Sequence, residues 1–237
     1  MPLARSSAWL AIVAGLATIA VIVWLGSVPP MDKDCRYTPN DIAFELAHSP
    51  EEASALFDPP AHVTLTADKA AACRADALRL VKERSERDWT TFVPTYALFL
   101  MLGLIAVFAR ARVGIWLPIA VAVLIAATDV VETREMLALQ AAGFPAGADM
   151  TLLEVSTRIK WLALALATLL AAWAALRSTP RNYLLALSCI PAVVVIPLMC
   201  VDSSYAQYGG LSLLPAWLAL LLTCVWQAIR DLRSKTA

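Results

Sequence analysis

The sequence is poor in the residues from which catalytic loops and metal centres are usually built. It has eight glycines and two histidines among 237 residues, and only 16% of its residues are charged. No glycine-rich phosphate loop, dinucleotide fingerprint, H-E-x-x-H motif or G-x-S-x-G motif occurs in it. His48 and His62 have no partner at metal-ligand spacing. We therefore expect no metal and no other cofactor, and the motifs leave open whether the chain is an enzyme.

Two further functions find no support in the composition. The five cysteines include no C-x-x-C pair, which argues against a thiol oxidoreductase. The lysines and arginines are scattered along the chain rather than gathered in one patch. Nucleic acid is therefore not an expected partner.

Apolar residues, in contrast, are abundant. They make up 60% of the chain, and the mean hydropathy is +0.68, well above that of ordinary soluble domains. Six apolar runs are long enough to cross a hydrocarbon core of roughly 30 Å. They are Trp9–Val28, Phe92–Phe108, Val113–Val131, a stretch around Trp161–Leu176, Tyr183–Met199 and Leu211–Ile229. We predict an all-α fold, a six-helix transmembrane bundle with a small extracytoplasmic helical cap.

The distribution of basic residues predicts the orientation of this bundle. With the N-terminus inside, the inner segments contain one acid, Asp231, and most of the other acids lie outside. The bases of the inner segments are Arg5, Arg110, Arg112, Arg177, Arg181, Arg230, Arg233 and Lys235. Because cytoplasmic loops are enriched in lysine and arginine, we expect both termini in the cytoplasm and the protein in a plasma membrane.

Three segments follow from this topology. Residues 1–28 form a transmembrane anchor helix, residues 29–91 an extracytoplasmic helical segment, and residues 92–237 a five-helix transmembrane bundle. The first run could instead be a cleaved signal peptide with Arg5 as its charged region. Its length, and the lack of an A-x-A-like site before Pro29-Pro30, favour a retained anchor.

The polar segment contains clear helix signals. In Thr38-Pro39-Asn40-Asp41 and in Ser49-Pro50-Glu51-Glu52, an N-cap residue precedes a proline, which is favoured at the first position of a helix. A longer amphipathic helix is predicted from about Ala67 to Trp89 and leads into the second span.

Further signals mark the later spans. Gly143-Phe144-Pro145 predicts the end of the third long helix, and Thr151-Leu-Leu-Glu154 predicts a capping box that opens the fourth. Pro191 and Pro197 predict kinks or a local break in the fifth. A broken helix at membrane depth can line a binding cavity, but a bend that fits neighbouring helices is the simpler interpretation.

Cys35 and Cys73 are the two cysteines of the polar segment. On the outer side of the membrane they would meet an oxidising compartment, so we favour a disulfide between them over two free buried thiols. Cys189, Cys200 and Cys224 lie in or near the spans and are expected to serve in packing.

The most informative residues are charged residues inside the apolar runs. Asp129 and Glu132 are three apart, so both carboxylates lie on one helix face. Counted from the ends of the third and fourth helices, Glu132 and Lys160 should lie at similar height and can pair. Three interpretations remain open: an ion pair that fixes the register of two helices, a polar pocket open to the outer leaflet, or ordinary charges at the membrane interface.

Other side chains are candidates for the same pocket. Asp88 and Tyr96 lie at the start of the second span, beside Trp89, while Asp202, Tyr205 and Tyr208 follow the fifth span. Tryptophan and tyrosine at such positions are more often anchors in the membrane interface than ligand contacts.

The chain resembles a group of small, functionally uncharacterised bacterial multi-pass membrane proteins over about residues 40–176. The resemblance rests on Phe44-Glu-Leu-Ala47 followed by Pro50-Glu-Glu-Ala53, and on Asp88, Asp129-x-x-Glu132 and Lys160 before an aromatic residue. The acidic pair of the group is typically followed by Asn, where this chain has Thr133. The resemblance implies the multi-pass architecture and a bacterial inner membrane, and it implies no activity.

The leading hypothesis is a membrane protein that binds a lipid or small amphiphile in an outward-facing polar site. Lys160 would hold an anionic group, and Glu132 and Asp129 would orient it or carry protons. Alternatives are an enzyme acting on a lipid headgroup, a proton-coupled carrier in which the kinked fifth helix moves, and an assembly subunit. The expected partners are membrane lipids, a small amphiphilic ligand and, through the cap, another membrane protein.

Overall fold

A computed structural model describes residues 2–236, with side chains from Ser6 to Arg233, and these residues form helices joined by loops. The side chains of Arg5 and Lys235 lie outside the described residues. Among the described residues, six helices are long and apolar enough to cross a membrane, which confirms the predicted fold class. They are Ser6–Leu25, Ala67–Ala111, Trp116–Ala141, Thr151–Arg177, Tyr183–Val201 and Ser203–Arg233.

The α-helices follow one another in a simple order, joined by short loops and single turns. They are α1 (Pro2–Leu25), α2 (Asp41–Glu45), α3 (Pro50–Ala55), α4 (Ala67–Arg87), α5 (Val93–Ala111), α6 (Trp116–Ala141), α7 (Thr151–Arg177), α8 (Tyr183–Ser188), α9 (Ile190–Val201) and α10 (Ala206–Thr236). We call residues 29–66 together with α4 the cap, and the end of the bundle that they cover the cap end.

The helix of the second span continues without a break into the cap. A wide turn of π-helix, Asp88–Phe92, joins α4 to α5. Pro94 follows this turn and has no N–H to give to the preceding backbone, so a local change of hydrogen-bond spacing accommodates it. The continuous helix places Asp88, the first residue of the π-turn, at the cap end of the bundle.

The cap has its own small core, built on aromatic rings. Phe44 packs edge-on against Phe57 and Phe144, with ring centroids 5.3 and 6.0 Å away. Cys35 and Cys73 are bonded to each other, with Cα atoms 5.6 Å apart, and both are buried. The disulfide favoured from the sequence is therefore present.

Two of the predicted helix starts need correction. Ser49 caps α3 as predicted. The side chain that caps α2 is Asn40 rather than Thr38, because Pro39 precedes the N-cap residue instead of following it. The predicted capping box at the start of α7 does not form. There the Thr151 N–H donates to the Asp149 carboxylate at 2.9 Å, and Met150 occupies the N-cap position.

The end of α6 lies where the sequence predicts it. The helix ends at Ala141, and Gly143 and Phe144 adopt positive φ angles of 74° and 56°. Glycine adopts such a φ angle without strain, so the chain can reverse direction there and start α7 antiparallel to α6.

Close packing of small residues joins α1 and α10 in the middle of the bundle. A Cβ atom on Gly15 would lie 2.9 Å from Leu221 Cδ1 and 3.0 Å from the Phe99 ring, which is too close. Glycine therefore lets the three helices approach one another there. Closer to the cap end, about two helical turns along, the same two helices border a cavity.

The fifth span is broken, as its prolines predict, but away from this cavity. Cys189 separates α8 from α9, and Pro191 occupies the first turn of α9. This break lies near the end of the bundle opposite the cap. None of the described residues of α8 and α9 lines the cavity, so the break contributes no wall to it.

Candidate functional site

Lys160 on α7 is held by the two carboxylates predicted on α6. Its Nζ lies 2.5 Å from Glu132 Oε1 and 3.3 Å from Asp129 Oδ1. Asp129 and Glu132 are nearly one helical turn apart and share the face that packs on α7. The predicted pairing of Glu132 with Lys160 is therefore present, and Asp129 joins it.

A third carboxylate reaches Lys160 from the cap. Glu45 is the last residue of α2, and its Oε2 accepts hydrogen bonds from Lys160 Nζ at 2.9 Å and from Trp161 Nε1 at 3.0 Å. The Glu45 side chain thus fastens α2 to α7. A lysine ammonium has three donors, and all three are now directed to carboxylates.

The burial of this cluster bears on the three interpretations. Asp129 and Lys160 are each 5% exposed and Glu132 is 1% exposed. Charges at a membrane interface would keep contact with water or headgroups. The burial therefore favours the ion-paired cluster and the polar pocket, which occur together, over ordinary interfacial charges.

A cavity of about 560 Å³ lies beside the cluster at the cap end. Asp129 and Lys160 form part of its wall, and Glu132 lies behind them. Most of the lining is apolar. The lining residues include Ile22, Leu25, Ile42, Phe92, Met136, Leu164, Leu211, Leu213, Leu214 and Trp217. The cavity therefore combines a charged wall with apolar walls.

An aromatic surface forms one side of the cavity. The Tyr96 and Trp217 rings stack with centroids 5.6 Å apart, and Phe92 packs on Tyr96 at 4.9 Å. The Tyr96 hydroxyl donates a short hydrogen bond to Asp129 Oδ2, which orients this carboxylate. The indole N–H of Trp217 is buried and has no hydrogen-bond partner among the described residues.

Both further candidates from the second span line the cavity. Tyr96 is 2% exposed. Asp88 is partly buried and lines the cavity, and its carboxylate has neither an ion pair nor a hydrogen bond to any side chain that the structure describes. The other candidates are exposed and do not line it. They are Trp89, Asp202, Tyr205 and Tyr208.

The cavity is open to the side, between α1 and α10. Ile22 on α1 and Leu211 and Leu214 on α10 all line it, yet their side chains are 40%, 61% and 51% exposed. The cavity can therefore be reached through an apolar opening in the side of the bundle.

Asp41, at the first position of α2, lies on the cap side of the cavity. Its Oδ2 accepts from Arg84 Nη1 at 3.3 Å, while its Oδ1 is buried with no partner within the described structure. Burial raises the pKa of Asp41 from 3.8 to about 6, against the opposing effect of Arg84. Ionisation of this carboxyl therefore costs stability in the folded cap.

This raised pKa predicts a pH dependence of stability. A folded-state pKa above the unfolded value means that the folded state binds the proton more tightly, so stability falls as pH rises from 3.8 to about 6. The melting temperature of the Asp41→Asn variant should therefore rise relative to wild type across this window. Thermal unfolding of both proteins from pH 3.5 to 7 checks it, and a difference that is constant with pH would contradict it.

Sequence reasoning missed Asp41, Glu45, Arg84 and Trp217, which all line the cavity. Glu45 stands in the Phe44-Glu-Leu-Ala motif on which the resemblance rests, and a single acid inside an apolar motif is a usable signal. Arg84 lies on an amphipathic helix among many charges, and Trp217 resembles an ordinary apolar residue of a span. For these two the sequence contains no distinguishing feature.

Comparisons of the chain with protein-family models, with curated proteins and with solved structures find no match.

Proposed function

We propose that this protein binds a lipid or another small amphiphile from the outer leaflet of a bacterial inner membrane. The observation that supports this most directly is the shape and chemistry of the cavity. It has a charged wall beneath the cap and apolar walls elsewhere, and it opens sideways between α1 and α10. A molecule with a polar head and an apolar chain matches both kinds of wall.

The orientation of the protein is part of this proposal. Basic residues gather at the end of the bundle away from the cap, including Arg110 and Arg112 at the end of α5, Arg177 at the end of α7 and Arg181 after it. Cytoplasmic connections are enriched in such residues. The disulfide between Cys35 and Cys73 suits an oxidising compartment on the cap side. We therefore place both termini in the cytoplasm and the cap outside.

The side opening provides a test with a matched control. Leu214 lines the cavity and is 51% exposed, and Leu218, one turn further along α10, is 57% exposed and does not line it. We expect Leu214→Trp to fill the opening and to weaken amphiphile binding at least about tenfold, which corresponds to about 1.4 kcal/mol. Leu218→Trp should bind as wild type does. Native mass spectrometry of the three detergent-purified proteins measures the fraction that carries a bound lipid or metabolite.

The possible results separate the functional classes. The proposal would be contradicted if none of the three proteins carried a bound molecule, or if Leu214→Trp and wild type carried equal amounts of it. Either result would favour an assembly subunit that uses the cap as its docking surface. A bound molecule that is recovered chemically altered would favour an enzyme. Uptake of the bound molecule that responds to a pH gradient would favour a carrier.

A further inference from the structure

The charged wall has more carboxylates than cations. Five acids belong to it, four that line the cavity and Glu132 behind them, and they face two bases, Lys160 and Arg84. With all groups ionised, three carboxylates remain in excess. The acids that line the cavity are Asp41, Glu45, Asp88 and Asp129. A ligand anion would be repelled by this wall, and a ligand cation would be attracted.

Lys160 is not available to an anionic group, although the sequence suggested that role for it. Its three donors are directed to Glu45, Asp129 and Glu132. An anion could reach the ammonium only by displacing one of these carboxylates, which would then be buried without a partner. Removing a partner from a buried charge is strongly unfavourable.

Asp88, in contrast, is free to contact a ligand. Asp88 lines the cavity, and its carboxylate has no partner among the described side chains. An ionised carboxylate without a partner is costly in such a place. A cation that binds there relieves this cost and gains a charge-assisted contact.

The aromatic surface fits the same kind of ligand. Tyr96 and Trp217 stack on each other and line the cavity, as does Phe92. Aromatic faces attract cations through the negative charge of the ring face, and tryptophan does so best. Carboxylates and aromatic faces together are the means by which proteins recognise ammonium groups.

A metal ion is a poorer match for this site. Among the residues that the structure describes, no group of three or more His, Cys, Asp and Glu is arranged to hold one. The centre of the carboxylate cluster, where a metal would bind, is already filled by the Lys160 ammonium. The apolar walls around it favour an organic cation.

We propose that the cavity takes an amphiphile whose head is an ammonium group, with the head against Asp88 and the aromatic surface and the apolar chain toward the opening between α1 and α10. This inference rests on the proposed amphiphile site and names its ligand class. Two sources share the required chemistry: a free long-chain amine, and the ammonium of a zwitterionic phospholipid.

The first experiment compares amphiphiles that share a dodecyl chain and differ in their head group. Dodecylamine, dodecyltrimethylammonium and dodecyl sulfate are titrated into the wild-type protein in a neutral detergent, and native mass spectrometry measures the bound fraction. We expect the cations to bind at least about tenfold more tightly than the sulfate, a difference typical of one charge-assisted contact. A parallel titration with phosphatidylethanolamine distinguishes the two sources of the ammonium group. Binding of phosphatidylethanolamine indicates a phospholipid ligand, and binding of dodecylamine without phosphatidylethanolamine indicates a free amine.

A pair of variants locates the contact. Asp88→Asn should weaken binding of dodecylamine about tenfold on the same basis, while binding of a neutral dodecyl alcohol should stay within about twofold. Asp68→Asn is the matched control, because Asp68 lies on the same continuous helix but is exposed and outside the cavity. The Asp68→Asn variant should bind all of these amphiphiles as wild type does.

The outcomes separate the two proposals. If dodecyl sulfate binds as tightly as dodecylamine or more tightly, and Leu214→Trp abolishes this binding, the amphiphile site stands and the ammonium inference fails. If Asp88→Asn leaves amine binding unchanged in a folded protein, the inference fails in the same way. If Leu214→Trp changes the binding of none of these amphiphiles, the proposed amphiphile site itself fails.

Discussion

Replacement of Lys160 by methionine is expected to lower the free energy of unfolding by about 3–5 kcal/mol, the range typical when one member of a buried ion pair is removed. The change leaves Glu45, Asp129 and Glu132 around an apolar side chain that can neutralise none of them. Each carboxylate must then be protonated or remain ionised without a counter-charge, and both cost stability in the folded state. Thermal and chemical unfolding in detergent measure the loss.

The matched control is Arg158→Met, two residues earlier on the same helix. Arg158 pairs with Glu154 at 2.7 Å, but its side chain is 42% exposed. Exposed pairs of this kind contribute about 1 kcal/mol or less. A loss for Lys160→Met no larger than that of Arg158→Met would show that the cluster does not hold the folded state together.

A double substitution tests whether the contacts act as a unit. Combining Lys160→Met with Glu132→Gln removes one of the stranded carboxylates together with the lysine, so the double variant should be more stable than the sum of the single losses predicts. Residues in one network usually show such coupling, of about 0.5–3 kcal/mol. Strict additivity would mean that Glu132 and Lys160 do not depend on each other.

Part of this network could be predicted from local patterns alone. Gly143 and the turn around it mark where α6 ends and α7 begins, and counting along two antiparallel helices places Glu132 and Lys160 at similar height. Two helices joined by a short turn are neighbours in space, so the pairing follows from positions on the chain. The apolar residues on both sides indicate a position inside an apolar run, but the sequence alone leaves open whether the pair is buried or at the membrane interface.

The contribution of the cap could not be predicted in this way. Glu45 and Lys160 are 115 residues apart in the sequence, and no short turn connects the helices that carry them. The position of α2 over the bundle depends on the Phe44 cluster, on the disulfide and on the continuity of α4 with α5. The disulfide and the continuous helix follow from the sequence, but neither specifies where α2 lies over the bundle, and the Phe44 cluster is a set of tertiary contacts.

The short helix α2 links the cap to the site, beside Arg84 of α4. α2 carries Asp41 at its start and Glu45 at its end, and both line the cavity, while Phe44 between them is buried in the core of the cap. Movement of α2 would therefore change the charged wall and open the Lys160 cluster. Stability of the cap and the form of the binding site should depend on each other.

The disulfide is the contact through which this dependence can be tested. Replacing both Cys35 and Cys73 by serine is expected to lower the stability of the cap by about 4 kcal/mol, the chain-entropy value for a loop of this size, since the bond closes a sequence separation of 38. Both positions are buried, so the serine hydroxyls add to the loss. Hydrogen exchange of the backbone amides of α2 and limited proteolysis of residues 29–66 measure the effect.

The six spans should stay folded in this variant, because α5, α6 and α7 keep their own apolar core. Cys189→Ser is the matched control: Cys189 is a free, buried cysteine between α8 and α9, near the end of the bundle opposite the cap, and its replacement should leave exchange in α2 unchanged. Since opening of α2 withdraws Glu45 from Lys160, the variant without the disulfide should also bind amphiphiles more weakly than wild type.

Unchanged exchange in α2 would show that the aromatic core alone holds the cap. Faster exchange with unchanged binding would show that the charged wall forms without the cap.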